Sequence, residues 1–309
     1  MALNPFFSKR SIGAIEPLIV SKIELLCRRF EDAIKTKEVI RLDAAYMALT
    51  MDIIAHYAYG QSYNYLAEDD FKLSWKETVI GASANGAFLR QFPWALPIMR
   101  AIPFSLLQKI NPHASALVGW QRSVRQLVDN IILANREGKK VEGTIFQALL
   151  DSDLPWQEKT ADHLQDEGQV VIAAGSETTA KALSFITFYL LQDKNKLRRL
   201  RKELCSAMPT PNSQASLTTL EQLPYLVGLG PLAIFEQCET YTGMQTAVIN
   251  EGIRLMHGVT TRLPRVSPTE PLTYKNWTIP AGVSNAPPTS FPGSQARLSQ
   301  TLILTPSLQ

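Results

Sequence analysis

The stretch VVIAAGSETTAKALSFITFYLL, Val170 to Leu191, constrains this chain more than any other. It has the length of about six helical turns, yet Gly175, Ser176, Glu177, Thr178 and Thr179 sit in its middle. A glycine inside a helix costs about 1 kcal/mol relative to alanine. A carboxylate buried in an apolar helix has to be hydrogen-bonded or shift its pKa upward. Helical spacing puts Ala174 and Thr178 on one face, a turn apart, where Ala and Gly leave room for a flat ligand to approach the backbone. The Thr178 hydroxyl can reach back to the Ala174 carbonyl and loosen the local ladder. An acid beside an alcohol beside water is a proton relay. The same residues also suit a helix boundary, with Gly175 ending one helix and Ser176 capping the next; spacing alone leaves both open.

The rest of the chain reads as helical. From Ser11, Ile12, Ile15, Ile19, Ile23, Leu26, Phe30 and Ile34 recur at steps of three or four, the stripe of one amphipathic helix. Asp43 is placed to cap AAYMALTMDIIAHYAYG, which is apolar on nearly every side and which Gly60 can terminate. Phe71 to Phe88 predicts another helix, and FPWALPIMRAIP then brings Pro93, Pro97 and Pro103 at spacings that force a bend. Further helices are expected from His113 to Asn135, over Ile145 to Leu150, Glu158 to Gln165, and, basic on its exposed face, Lys194 to Ala207. The best strand signal is TYKNWTIP, Thr273 to Pro280. Hydrophobic content of 45% and charged content of 19% allow a sizeable core in 309 residues. The formal charge of +3 is too small and scattered for a nucleic-acid footprint. Cys27, Cys205 and Cys238 have no metal-binding spacing, and a reducing, intracellular setting is expected. No signal peptide or membrane span is expected either, since the longest apolar stretch is interrupted by Glu177 and Lys181.

Two motifs acquire meaning together. Ala174-Gly175-Ser176-Glu177-Thr178-Thr179 matches A-G-x-[ED]-T-[TS], and downstream Glu251-Gly252-Ile253-Arg254 matches E-x-x-R, followed by TRLPRV, Thr261 to Val266. In this order the segments resemble the cytochrome P-450 family of heme-thiolate monooxygenases, specifically fungal secondary-metabolism members similar to trichodiene oxygenase. DAAYMALTMDIIAHYAYG, QFPWALPIMRAIP, EQLPYLVG and IPAG share that look.

The resemblance implies a mainly α, incomplete cytochrome P-450 fold with a long central helix and minor β. It implies heme as cofactor, an NADPH-dependent reductase as electron donor, and insertion of one oxygen atom into a small lipophilic, for example terpenoid, substrate. Residue by residue, Glu177 and Thr178 would be the acid and alcohol that deliver protons during oxygen activation. Ala174 and Gly175 would lie near the heme plane, and Arg265 would pair with a propionate. Glu251 and Arg254 would form a structural pair, and Val259, Thr260 and Thr261 would line the substrate pocket. Family members are usually anchored at the endoplasmic reticulum membrane; no anchor is expected in this sequence.

The resemblance spans residues 1–282, except for Leu229 to Thr246, which reads as a foreign insertion; Val283 to Gln309, rich in Pro and Ser, is expected to be a disordered, non-family tail. Both segments resemble translated intervening sequence or a shifted frame. The family's cysteine loop, F-x-x-G-x-R-x-C-x-G, whose thiolate binds the iron, has no counterpart; FPGSQAR, Phe291 to Arg297, is an echo without cysteine. The chain is therefore expected to be truncated at both ends and not itself competent, and the alternative is a non-catalytic helical remnant or interaction protein. A terpene synthase would need an aspartate-rich magnesium patch, which Glu68-Asp69-Asp70 does not complete.

Overall fold

The computed structural model describes residues 4–92, 94, 98, 101–140, 143–210, 213–227, 248–256, 265–274 and 277–285. The helices are α1 (Lys9–Ala14), α2 (Glu16–Thr36), α3 (Leu42–Tyr59), α4 (Leu73–Gln91), α5 (Phe104–Ile110), α6 (Pro112–Arg136), α7 (Ile145–Asp151), α8 (Ala161–Gln192), α9 (Lys194–Ala207), α10 (Leu217–Glu221) and α11 (Val248–Leu255). The strands are β1 (Arg265–Val266), β2 (Leu272–Tyr274), β3 (Trp277–Ile279) and β4 (Ser284–Asn285). The chain is mainly helical, as its periodicity predicts. It divides into two compact units: Met1–Gln192 with Gln214–Thr219, and Asp193–Ser213 with Leu220–Gln309.

Several boundaries differ from those expected, each for a local reason. The stripe beginning at Ser11 is split between α1 and α2 at Ile15, because Pro17 occupies the first turn of α2, where its missing N–H does no harm. Arg41, not Asp43, holds the cap position of α3. Asp43 lies in the first turn, where it accepts from the Ala44 N–H at 2.9 Å and pairs with Lys76. Phe71 and Lys72 take left-handed φ values of 53 and 55°, so α4 starts after them. Asn111 caps α6, its Oδ1 accepting from the Ala114 N–H at 3.0 Å, and Pro112 rather than His113 opens the helix. The expected Glu158–Gln165 helix is a 3-10 turn, Trp156–Lys159, followed by the start of α8. Thr273–Pro280 forms part of a hairpin rather than one strand, with Leu272 opposite Ile279 and Tyr274 opposite Trp277. Gly60 ends α3 with a φ of 74° as anticipated.

In the first unit α3 is the core. Met51, Ala55 and Ala58 are wholly buried, as an all-round apolar sequence demands. Met47, Met51, Tyr59, Trp75, Trp120 and Phe146 belong to one cluster that joins α3, α4, α6 and α7 to α8; Leu26, Ala45, Ala48 and Leu66 belong to a second beside α2. Asp52, completely buried on α3, satisfies its carboxylate with the N–H groups of Tyr65 at 3.0 Å and Leu66 at 3.1 Å. Arg29 secures the same loop, donating to the carbonyls of Leu66, Glu68 and Asp69 while its guanidinium lies 4.6 Å from the centre of the Phe71 ring.

The second unit contains α9, α11 and two two-stranded sheets, β1 with β4 and β2 with β3, both antiparallel. Glu203 on α9 accepts from the N–H groups of Tyr225 and Leu226, each at 2.9 Å, and Arg199 stacks on the Tyr225 ring. The Val248 and Ile249 N–H groups donate to the carbonyls of Tyr225 and Leu226 at 3.0 and 3.1 Å. The flanks of the segment read as an insertion are thus joined; residues 229–246 themselves lie outside the described residues, as do Cys238 and all of 283–309 beyond Asn285.

Candidate active-site helix

α8 runs unbroken from Ala161 to Gln192, which removes the reading of Gly175 and Ser176 as a helix boundary. Its buried residues Leu164, Gly168, Val171, Ile172, Ser176 and Ala180 recur at steps that trace one face. That face is held against α3 by two polar ties. The Thr50 hydroxyl donates to the Ser176 carbonyl at 2.9 Å, and the Tyr46 and Thr187 hydroxyls are 2.9 Å apart. Arg125 of α6 pairs with Asp162 at the start of α8 and also reaches Asp129 on its own helix.

The motif is divided between two faces. Gly175 points its bare Cα at α3: a Cβ there would stand 2.9 Å from Ile54 Cγ1 and 3.2 Å from Ile54 Cδ1. Its glycine is explained by the close approach of two helices. Gly168, two turns earlier, is held still more tightly by the Tyr59 hydroxyl and by Phe146, whose rings stack at 4.6 Å. Ala174 and Thr178 are exposed, as are Val170, Ala173 and Lys181. The Thr178 hydroxyl donates to the Ala174 carbonyl at 2.8 Å, the bond expected from the spacing. Its proton is thereby committed to the backbone, and its lone pairs are left to accept from a water or ligand on the open face.

Glu177 is half-buried. The expectation of a carboxylate inside a helix buried all round is corrected, because α8 has an open side and Glu177 lies at its edge. In the core beneath, burial pushes the phenol pKa values of Tyr59, Tyr63 and Tyr65 upward.

The remaining candidate residues belong to the second unit. Glu251 and Arg254 are a turn apart on α11, and Arg265 opens β1 opposite Asn285. Val259, Thr260 and Thr261 lie outside the described residues. Cys27 on α2 and Cys205 on α9 are exposed free thiols on helices, and no group of three His, Cys, Asp or Glu side chains suited to a metal occurs among the described residues. The residues that the sequence did not single out are Thr50, Ile54, Tyr46 and Thr187, which set the register of α8. Their signal is slight: Thr50 is one of several polar residues in a largely apolar helix, and its partner 126 positions away follows no periodicity.

Comparison with known proteins bears on family and fold. The cytochrome P450 family profile matches residues 1–228. The cytochrome P450 monooxygenase claJ of Penicillium crustosum is 42% identical over 285 residues, 90% of this chain and 60% of that protein. The cytochrome P450 monooxygenase TRI4 of Fusarium sporotrichioides is 34% identical over 289 residues, 94% of this chain and 52% of that one. The chain therefore spans little more than half the length of these relatives. A crystal structure of a cytochrome P450 (CYP102L1) superposes with a TM-score of 0.55 at 18% identity, covering 82% of this chain and 48% of that one, a likeness of fold. By sequence and by fold, then, the chain belongs to the cytochrome P450 family.

Proposed function

We propose that this chain supplies the oxygen-binding side of a heme-dependent monooxygenase acting on a small lipophilic secondary metabolite, with electrons from an NADPH-dependent reductase. The observation that carries the reading is the open face of α8, where Ala174 and Thr178 stand a turn apart with the Thr178 hydroxyl oriented by the Ala174 carbonyl. A heme held there would supply the oxygen-activating chemistry. Small side chains at Ala174 and Gly175 let a flat macrocycle approach the helix; Ala174 makes the contact and Gly175 keeps α8 seated on α3. Thr178 accepts a hydrogen bond from water on that face, and Glu177, at its edge, exchanges protons with solvent. Arg265 is assigned to a propionate, where a guanidinium fork suits a carboxylate. Glu251 and Arg254 brace α11, and Val259, Thr260 and Thr261 line the substrate side. In family members this work takes place at the endoplasmic reticulum membrane.

The residues fit one side of the heme only. Cys27 and Cys205 are on helices, unlike the loop that holds the family's thiolate, and the 309 residues contain no F-x-x-G-x-R-x-C-x-G sequence. The polypeptide by itself therefore does not turn over. The second reading, a helical protein without catalysis, is favoured by that same observation. Hemin titration separates them. Wild-type protein should take up hemin while Ala174→Trp does not, and the reduced, carbon-monoxide-treated complex should lack the thiolate-type Soret band. Equal uptake, or none, by both proteins removes the assignment of the α8 face; a thiolate-type band removes the claim of incompetence.

A further inference from the structure

Four oxidisable rings lie in one run through the first unit. Tyr63 and Tyr65, on the connection from α3 to α4, are 5.4 Å apart centre to centre; Tyr65 is 6.4 Å from Trp75 of α4, and Trp75 is 5.1 Å from Trp120 of α6. Both indoles are buried, and the Nε1–H of neither makes a hydrogen bond among the described residues, although that of Trp120 stands near the Tyr63 hydroxyl. A buried N–H left unpaired costs stability, so packing alone would be served better by phenylalanine at both positions. The two phenols are half-buried. The Tyr63 hydroxyl is 3.4 Å from the Ser123 Oγ, whose own hydrogen goes to the Trp120 carbonyl at 2.8 Å. The Ser123 lone pairs are thereby left to accept from Tyr63.

We propose that Tyr63, Tyr65, Trp75 and Trp120 form a redox relay that carries a one-electron vacancy from the buried indoles to a phenol at the edge of the unit. The oxidant is of the radical class: it takes one electron from Trp75 or Trp120 and is itself reduced. Electrons tunnel readily between rings this close. The direction follows from charge. With no acceptor for its N–H, an oxidised indole stays a cation in an apolar surrounding, where burial disfavours it. Tyr65 passes an electron inward and Tyr63 replaces it, Tyr63 losing one electron through the rings and one proton, by way of Ser123, to solvent. The product is a neutral phenoxyl radical, which a donor of the ascorbate class returns to the phenol by supplying one hydrogen atom. A vacancy left on the indoles would instead be consumed by covalent damage in the core. Tyr59 takes no part: its buried hydroxyl has no partner among the described residues, and its ring stacks on Phe146, which is too hard to oxidise to pass a vacancy on. The relay requires no heme and stands apart from the proposed activity.

The test uses the whole chain carrying Trp94→Phe, Trp156→Phe and Trp277→Phe, three exposed positions, so that Trp75 and Trp120 are its only tryptophans. A light pulse absorbed by tryptophan alone ejects an electron, which a cobalt(III) ammine complex scavenges. Transient absorption should show the indole radical decaying as a phenoxyl radical rises at the same rate. Adding Tyr63→Phe should remove most of that rise and leave the indole radical long-lived, whereas Tyr59→Phe should change neither. With Trp120→Phe also present, Trp75 is the sole origin, and Tyr65→Phe should then slow the rise severalfold. Circular dichroism checks that each variant is folded. A second measurement needs no variant: after steady illumination of the wild-type chain, peptide mass spectrometry should find Tyr63 modified and Trp75 and Trp120 spared, with added ascorbate suppressing the Tyr63 product. The inference is overturned if no phenoxyl radical forms, if Tyr63→Phe or Tyr65→Phe leaves its rise unchanged, or if oxidation accumulates on Trp75 and Trp120.

Discussion

Replacing Gly175 by alanine opposes two effects whose sizes are known. Alanine is favoured over glycine inside a helix by about 1 kcal/mol. Against this, the new methyl would stand 2.9 Å from Ile54 Cγ1 and 3.4 Å from Ile54 Cβ. These atoms are near the root of a β-branched side chain and cannot swing aside as a chain end could. Overpacking of this kind costs roughly 1–3 kcal/mol, so Gly175→Ala should destabilise by about 1 kcal/mol. Truncation of Ile54 to alanine removes the obstacle, and in that background the same substitution should stabilise by about 1 kcal/mol, a coupling of about 2 kcal/mol. Gly119 on α6 provides the calibration, since a Cβ there meets nothing within 4 Å and alanine should gain the full helix preference. Urea titration followed by far-ultraviolet circular dichroism reads the wild type and all four variants. The close-approach argument fails if Gly175→Ala raises the midpoint as Gly119→Ala does, or if its effect is the same with and without Ile54.

Asp52→Ala leaves the Tyr65 and Leu66 N–H groups without their buried acceptor and should cost about 3 kcal/mol, seen as a lowered urea midpoint. Tyr59 has a buried hydroxyl with no hydrogen-bond partner among the described residues; Tyr59→Phe should raise stability by about 1 kcal/mol. Tyr57→Phe, which loses a 2.7 Å bond to the Phe6 carbonyl, should lower it by a similar amount. At Asp43 burial works to raise the pKa, but the hydrogen bonds from Lys76 and Arg41 prevail and hold it below the ordinary carboxylate value of 3.8. Its contribution is therefore complete above that value and lost as the pH falls through the lower folded one. Thermal melts from neutrality downward should show Asp43→Asn flattening only this acid limb.

The helices were legible because their apolar residues recur with the period of the structure that buries them. α3 and α8 were visible instead as long, nearly unbroken apolar runs, and for α8 the shared face of Ala174 and Thr178 was legible while the extent of its exposed side was not. The ends were less so. The left-handed Phe71 and Lys72 carry no residue signal, since neither is glycine or asparagine, and the split at Ile15 required Pro17 to outweigh an unbroken stripe. The hairpin at Leu272 to Ile279 was missed as a pair because strands of three residues give too little alternation to mark a turn. Long-range partners were not legible at all. Nothing local in the sequence couples Thr50 to Ser176 or Ile54 to Gly175, because those contacts depend on how two helices lie against each other.

That last point changes how the motif is read. In the sequence, A-G-x-E-T-T looks like one device, with each unusual residue explained by a ligand. In the fold its residues separate by helical angle: Gly175 and Ser176 turn toward α3, while Ala174 and Thr178 turn outward. Packing alone thus explains the costliest residue for a helix, and Ala174 and Thr178 are left on the exposed side. The division is needed for a precise site, because a face can position a ligand only if the opposite face fixes the helix. A bulky side chain at position 174 should abolish ligand uptake at unchanged stability, whereas one at position 175 should lower stability first and uptake only in consequence.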